Sequence, residues 1–97
     1  MASATLTAGA PTNDFTTTAG ALYSIAASGG FGGGLVGLSY SLTATPTVFQ
    51  PFPSGDFGSG FAMEVRAPGT KLRAAVSNAD RSGAGTTSIT VDLTAAA

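Results

Sequence analysis

Residues Ala21–Ser41 read ALYSIAASGGFGGGLVGLSYS, and their reading decides the fold. Two apolar arms flank a tract with five glycines: Gly29, Gly30, Gly32, Gly33 and Gly34. In the first arm Tyr23, Ile25 and Ala27 share one parity with Ala21; in the second, Val36, Leu38, Tyr40 and Leu42 do. Alternation of this kind is the period of a β-strand, which turns every second side chain to one face. A helix through the tract is disfavoured, because each internal glycine costs about 1 kcal/mol relative to alanine. The local expectation is a hairpin with a long, glycine-permitted turn.

The rest of the chain follows the same period. Before this stretch, Ala4, Leu6 and Ala8 alternate with Thr5 and Thr7 in a short strand, expected at a sheet edge or as an N-terminal arm within residues 1–12. Ala10-Pro11-Thr12-Asn13-Asp14 reads as a turn, and Phe15–Thr18 as β-prone. Beyond Leu42, Pro46, Pro51 and Pro53 interrupt the chain around Val48-Phe49-Gln50. Proline removes a ladder donor, so this piece is expected as an edge strand or a fixed loop. Residues Ser54–Gly60 read as a flexible connector. Phe61, Met63 and Val65 form a half-buried strand, Ala67-Pro68-Gly69 turns the chain, and Leu72, Ala74 and Val76 form the next strand. A polar turn from Ser77 to Gly85 leads to a last strand with Thr87, Ile89, Val91 and Leu93 inward. Tyr23, Ile25, Leu38, Tyr40, Met63, Val65, Leu72, Val76, Ile89 and Val91 are the expected core.

The expected fold is therefore all-β: one domain over residues 1–97, a jelly-roll-like sandwich of about eight short antiparallel strands and no helix. A faint internal echo supports it. Gly20-x-x-Tyr23-x-Ile25-x-Ala27-Ser28 matches Gly69-x-x-Leu72-x-Ala74-x-Val76-Ser77 at an offset of 49, which suggests two similar hairpins, one in each half of the sandwich.

Only 9% of the residues are charged and the net charge is −1, against about 25% charged in ordinary globular domains. The surface must then be mostly Ser, Thr, Ala and Gly, or else covered by partners. Nucleic-acid capture needs clustered positive charge; here Arg66, Lys71 and Arg73 stand alone, beside Glu64. Cysteine and histidine are absent, which removes disulfides, thiolate metal sites and imidazole catalysis. No apolar run reaches the ~18–20 residues of a spanning helix, and no secretory leader is read. No cofactor and no membrane association are expected.

The remaining chemical candidates reduce to structural readings. Glu64 could meet Lys71 or Arg73 as an exposed cross-strand ion pair if the strands around Pro68-Gly69 pair. Phe31–Gly34 lacks the Lys-Ser/Thr and helix that a phosphate loop requires. Asn78, Asp80 and Asp92 carry oxygen ligands, but Asn78 and Asp80 fit an Asx-type turn better than a calcium site. No two acids have the rigid spacing of a glycosidase pair. Tyr23 and Tyr40 read as packed rings with satisfied hydroxyls. Phe49, Phe52, Phe57 and Phe61 either plug one end of the sandwich or leave one or two rings exposed as contact anchors.

In order along the chain, Tyr23-Ser24-Ile25, Phe31-Gly32-Gly33, Ser39-Tyr40-Ser41, Ala67-Pro68-Gly69-Thr70-Lys71-Leu72 and the Thr-rich segment Thr86–Leu93 resemble the small virion structural proteins of tailed bacteriophages. The resemblance covers about two-thirds of the chain and departs in the middle, where the Asp-Gly and Trp usual after Tyr-Ser are missing from Leu42–Phe52. It implies a non-enzymatic role in the virion, assembled in the host cytoplasm: capsid cement or decoration on the major capsid protein or other virion proteins, often as a homo-oligomer, with a trimer favoured. A minor tail or fibre component and a carbohydrate-binding or adhesion module are the alternatives; the latter rests on Phe57 beside Asp56. The expected contact residues are Thr5, Leu6 and Thr7 of the first strand and Phe49, Phe52 and Phe57 of the Pro-Phe segment.

Overall fold

A computed structural model describes residues 2–41, 49–81, 83 and 85–96. It contains β1 (Ala2–Leu6), β2 (Thr12–Thr16), β3 (Leu22–Gly30), β4 (Leu35–Ser41), β5 (Gln50–Phe57), β6 (Phe61–Arg66), β7 (Lys71–Ser77) and β8 (Ser88–Ala95). No helix occurs among the described residues. The strands form two four-stranded sheets, ordered β1-β8-β3-β6 and β2-β7-β4-β5. Every pairing is antiparallel. This is the strand order of a jelly roll: β1 with β8, β2 with β7, β3 with β6 and β4 with β5 make one long ladder, rolled so that β3 also meets β8 and β4 meets β7.

The glycine tract does not close a hairpin. β3 lies in the first sheet and β4 in the second, so residues 31–34 arch from one layer to the other. The Gly34 N–H donates to the Phe31 carbonyl at 2.7 Å, and both residues between them have positive φ (Gly32 56°, Gly33 80°). A side chain at Gly32 would also run into Thr87 and the Gly85 carbonyl. Alternation identified the strands correctly, but it carries no information about which strand each one pairs with.

The same correction recasts the internal echo. β7 and β8 also lie in opposite sheets, so the repeat consists of two arches and not two hairpins. Advancing every strand by four places turns the order β1-β8-β3-β6 into β5-β4-β7-β2, which is the second sheet. The strand order is thus unchanged when the two halves of the chain trade places, each half taking the other's positions in the opposite sheet.

The core between the sheets contains Leu6, Phe15, Ile25, Ala27, Phe31, Val36, Leu38, Val65, Leu72, Ala74, Val76, Ile89, Val91 and Leu93. Of the expected core, Tyr23, Tyr40 and Met63 are only half-buried. Tyr23 is drawn to the rim because its hydroxyl accepts the Thr18 N–H at 2.8 Å. Tyr40 follows the register break between Gly37 and Ser39, and Met63 lies on edge strand β6. Strand bounds differ in several places: β3 runs on through Gly29 and Gly30 of the expected turn. β2 includes Thr12–Asp14, read as turn, and β5 continues to Phe57 through part of the expected connector. β1 and β5 are edge strands, as expected. Leu42 and Val48 lie outside the described residues.

Candidate functional site

Strand alternation sends Asp14 of β2, Arg73 of β7 and Ser39 of β4 to the solvent side of the second sheet, because Phe15, Leu72, Ala74 and Leu38 take the core side. Asp14 and Arg73 are register partners although 59 residues apart. Their contact is bidentate: Arg73 Nε donates to Asp14 Oδ1 at 2.7 Å and a terminal nitrogen to Oδ2 at 3.1 Å. The guanidinium carbon also lies 3.8 Å from the centre of the Phe49 ring, a cation–π arrangement. Carboxylate, guanidinium and ring are thus fixed together on a partly exposed face. Beside them Lys71 Nζ donates to Thr16 Oγ1 at 2.9 Å. Arg73 finds Asp14, and not Glu64, because β6 and β7 lie in different sheets; Glu64 is opposite Ser24 on the first sheet.

The Arg73 hydrogen bond, aided by its charge, lowers the pKa of Asp14 below the usual carboxylate value and outweighs partial burial. A depressed carboxyl pKa adds stability above the unfolded value, near pH 4, and that stability is lost as pH falls through the lower folded value. Both side chains are about one-third exposed (36%), so the effect on global stability is small. The expected result is local. In an NMR titration the Asp14 carboxyl should have its midpoint below that of a free aspartate, and the Phe49 ring signals should move with the same midpoint. Asp14→Asn should remove both transitions. A ring indifferent to pH would show that Arg73 holds Phe49 without help from Asp14.

Further along the same face, Leu35, Gly37, Ser39, Pro51, Asp56, Ala75 and Ser77 line an open hollow of about 280 Å³. It exists because Gly37 has no side chain; a Cβ there would sit 2.6 Å from Asp56 Oδ1. Leu35, 36% exposed, is the exposed large hydrophobic residue at its rim.

The other expected contact residues divide. Phe52 is half-buried against the core, with its ring 5.2 Å from that of Tyr40. Phe57 stacks on Phe61 at 4.1 Å, closing the gap between edge strands β5 and β6. Phe57 is opposite buried Val36 and Asp56 is opposite Gly37, so the two lie on opposite faces of β5 and make no sugar platform. Of the four phenylalanines, Phe52, Phe57 and Phe61 serve the packing, and Phe49 lies on the face with Arg73. Thr5 is exposed on β1 and Thr7 is half-buried just beyond it. Leu6 is fully buried, so it offers no surface to another chain.

At one end of the sandwich, Asn78 and Asp80 both take left-handed backbone (φ 55° each), which Asn and Asp tolerate best among residues with side chains. Asp80 Oδ1 accepts the Thr87 N–H at 2.6 Å, and Thr87 Oγ1 accepts the Asp80 N–H at 2.8 Å. The Thr87 hydroxyl donates to the Phe31 carbonyl at 2.8 Å, and the Arg81 N–H donates to the Gly32 carbonyl at 2.8 Å. The turn therefore locks the glycine arch. Asp92 is elsewhere, on β8 opposite Ser3 and Ala26, and no cluster of metal-ligating side chains occurs among the described residues.

The solvent side of the first sheet is plainer. Ser24, Ala26, Ala62, Glu64, Asp92 and Thr94 surround a shallow depression of about 340 Å³. No protein-family model, curated protein or solved structure matches this chain.

Proposed function

We propose that this protein is a non-enzymatic virion structural protein, a capsid cement or decoration subunit that acts by protein–protein contacts. The observation that carries this reading is the Asp14–Arg73–Phe49 cluster. Arginine and aromatic side chains supply much of the energy of protein interfaces, and a ring already held by a guanidinium loses little further freedom on docking. Its setting adds support. The sheet faces are floored mainly by Ser, Thr, Ala and Gly, which allow close approach of another flat surface. The resemblance to phage virion proteins names the partner class. The jelly roll is used in viral capsids, and also in lectins and cupins, so the fold is compatible with the role without selecting it.

Co-sedimentation with assembled phage capsids, and separately with tails, tests the proposal. Arg73→Ala and Phe49→Ala should each weaken binding by about 30-fold, the scale of a 2 kcal/mol anchor. Thr94→Ala, on the opposite sheet face, should leave binding unchanged. A chain that binds neither particle but is retained on a glycan array would transfer the role to the sugar-binding alternative.

A further inference from the structure

Among the described residues the two sheets have four edge strands, β1 and β6 in the first and β2 and β5 in the second. Edges carry unpaired backbone groups, and proteins that remain monomeric block them with charge, proline, bulges or irregular backbone. Three of the four are blocked. β6 carries Glu64 and Arg66, and β2 carries Asp14. β5 contains Pro51, Pro53 and the left-handed Gly55 (φ 77°), and its pairing with β4 is broken by a register shift. β1, Ala-Ser-Ala-Thr-Leu, has no charge, proline or glycine, and pairs with β8 over five consecutive rungs without a break.

We propose that β1 is a self-association edge: two copies of this chain pair β1 with β1 in antiparallel fashion about a two-fold axis, joining their first sheets into one eight-stranded sheet. The sequence of β1 fixes the register. Antiparallel partners share a face, and a slip of one residue would put the core side of one copy against the solvent side of the other. Centring the axis on Ala4 sets the exposed Ser3 of each copy opposite the exposed Thr5 of the other and keeps the buried side of each strand continuous, while Leu6, fully buried, lies beyond the contact. Electrostatics permits it. The nearest like charges, the two copies of Asp92 on β8, are three strand spacings apart, about 14 Å, beyond the ~8 Å screening length of physiological salt. An isologous two-fold contact is also the commonest way for a protein to self-associate. It gives a dimer in place of the trimer implied by the resemblance, and it does not depend on the virion role.

Sedimentation equilibrium of the purified chain, with no virion component present, tests it. The wild-type chain should dimerise reversibly, with β1 amides gaining hydrogen-exchange protection as concentration rises. Ser3→Lys combined with Thr5→Lys puts ammonium groups opposite each other across the axis and should weaken the dimer by at least about tenfold. Ser3→Lys combined with Thr5→Glu alters the same two exposed positions but makes the facing pairs opposite in charge, so the dimer should be retained. At a concentration low enough that all three chains are monomeric, urea midpoints of both variants should match the wild type. A wild-type chain that stays monomeric to millimolar concentration overturns the proposal, and so does equal behaviour of the two variants.

Discussion

Leu6→Ala should lower the unfolding free energy by about 2–5 kcal/mol, the range for truncating a buried leucine. Leu6 is fully buried at the end of β1, opposite Ile89, itself fully buried between β1 and β3. For a chain of this length the whole stability is about 5–15 kcal/mol, so a large part would go. The measurement is the urea midpoint, which should fall with little change in slope. Thr5→Ala, one residue away and exposed, should stay within about 0.5 kcal/mol of wild type. An unchanged midpoint for Leu6→Ala would return that side chain to the surface and restore it as a contact residue.

Thr87→Val is the second large effect expected. Valine matches threonine in shape, so the cavity term is small and the loss falls on hydrogen bonds. Thr87 is only 1% exposed, and its hydroxyl both accepts the Asp80 N–H and donates to the Phe31 carbonyl. The substitution leaves two backbone groups without that partner, each costing about 1–3 kcal/mol where water cannot replace it. A loss of roughly 2–5 kcal/mol follows, with hydrogen-exchange protection lost first at Asp80. Thr87→Ser keeps the hydroxyl and should recover most of the difference. Equal losses for Val and Ser would assign the effect to packing of the methyl group.

Alternation along the chain was enough to read the strands, their inward faces and the all-β class. Ile25, Leu38, Val65, Leu72, Val76, Ile89 and Val91 were therefore placed in the core from sequence, because the pleat is a local property. Pairing is not local. The expectation of a hairpin around Phe31–Gly34 failed because two alternating arms look the same whether they pair with each other or lie in facing sheets. The expected partner of Arg73 failed for the same reason, since Asp14 meets it only through the β2–β7 ladder. Leu6, Phe15 and Phe31 escaped the core reading because their surroundings carry weak signals: a Thr/Ala segment, a turn-like Asn-Asp and a run of glycines. The cluster of Asp14, Arg73 and Phe49 left no trace in the sequence, because its members come from three separate strands or their flanks.

The nested ladder also sets how this chain must fold. The pairing of β1 with β8 joins Ala2 to Leu93, nearly the whole length of the chain, whereas β4 and β5 are near neighbours in sequence. Closing a longer loop costs more entropy before any contact repays it, and chains dominated by distant pairings fold on the millisecond-to-second scale. The β4–β5 end should therefore assemble early and β1 dock last. Until it does, the edge of β8 lies open with Ile89, Val91 and Leu93 beside it. During that interval strand exchange between molecules competes with correct closure, so refolding yield should fall as protein concentration rises, even where the finished domain is stable.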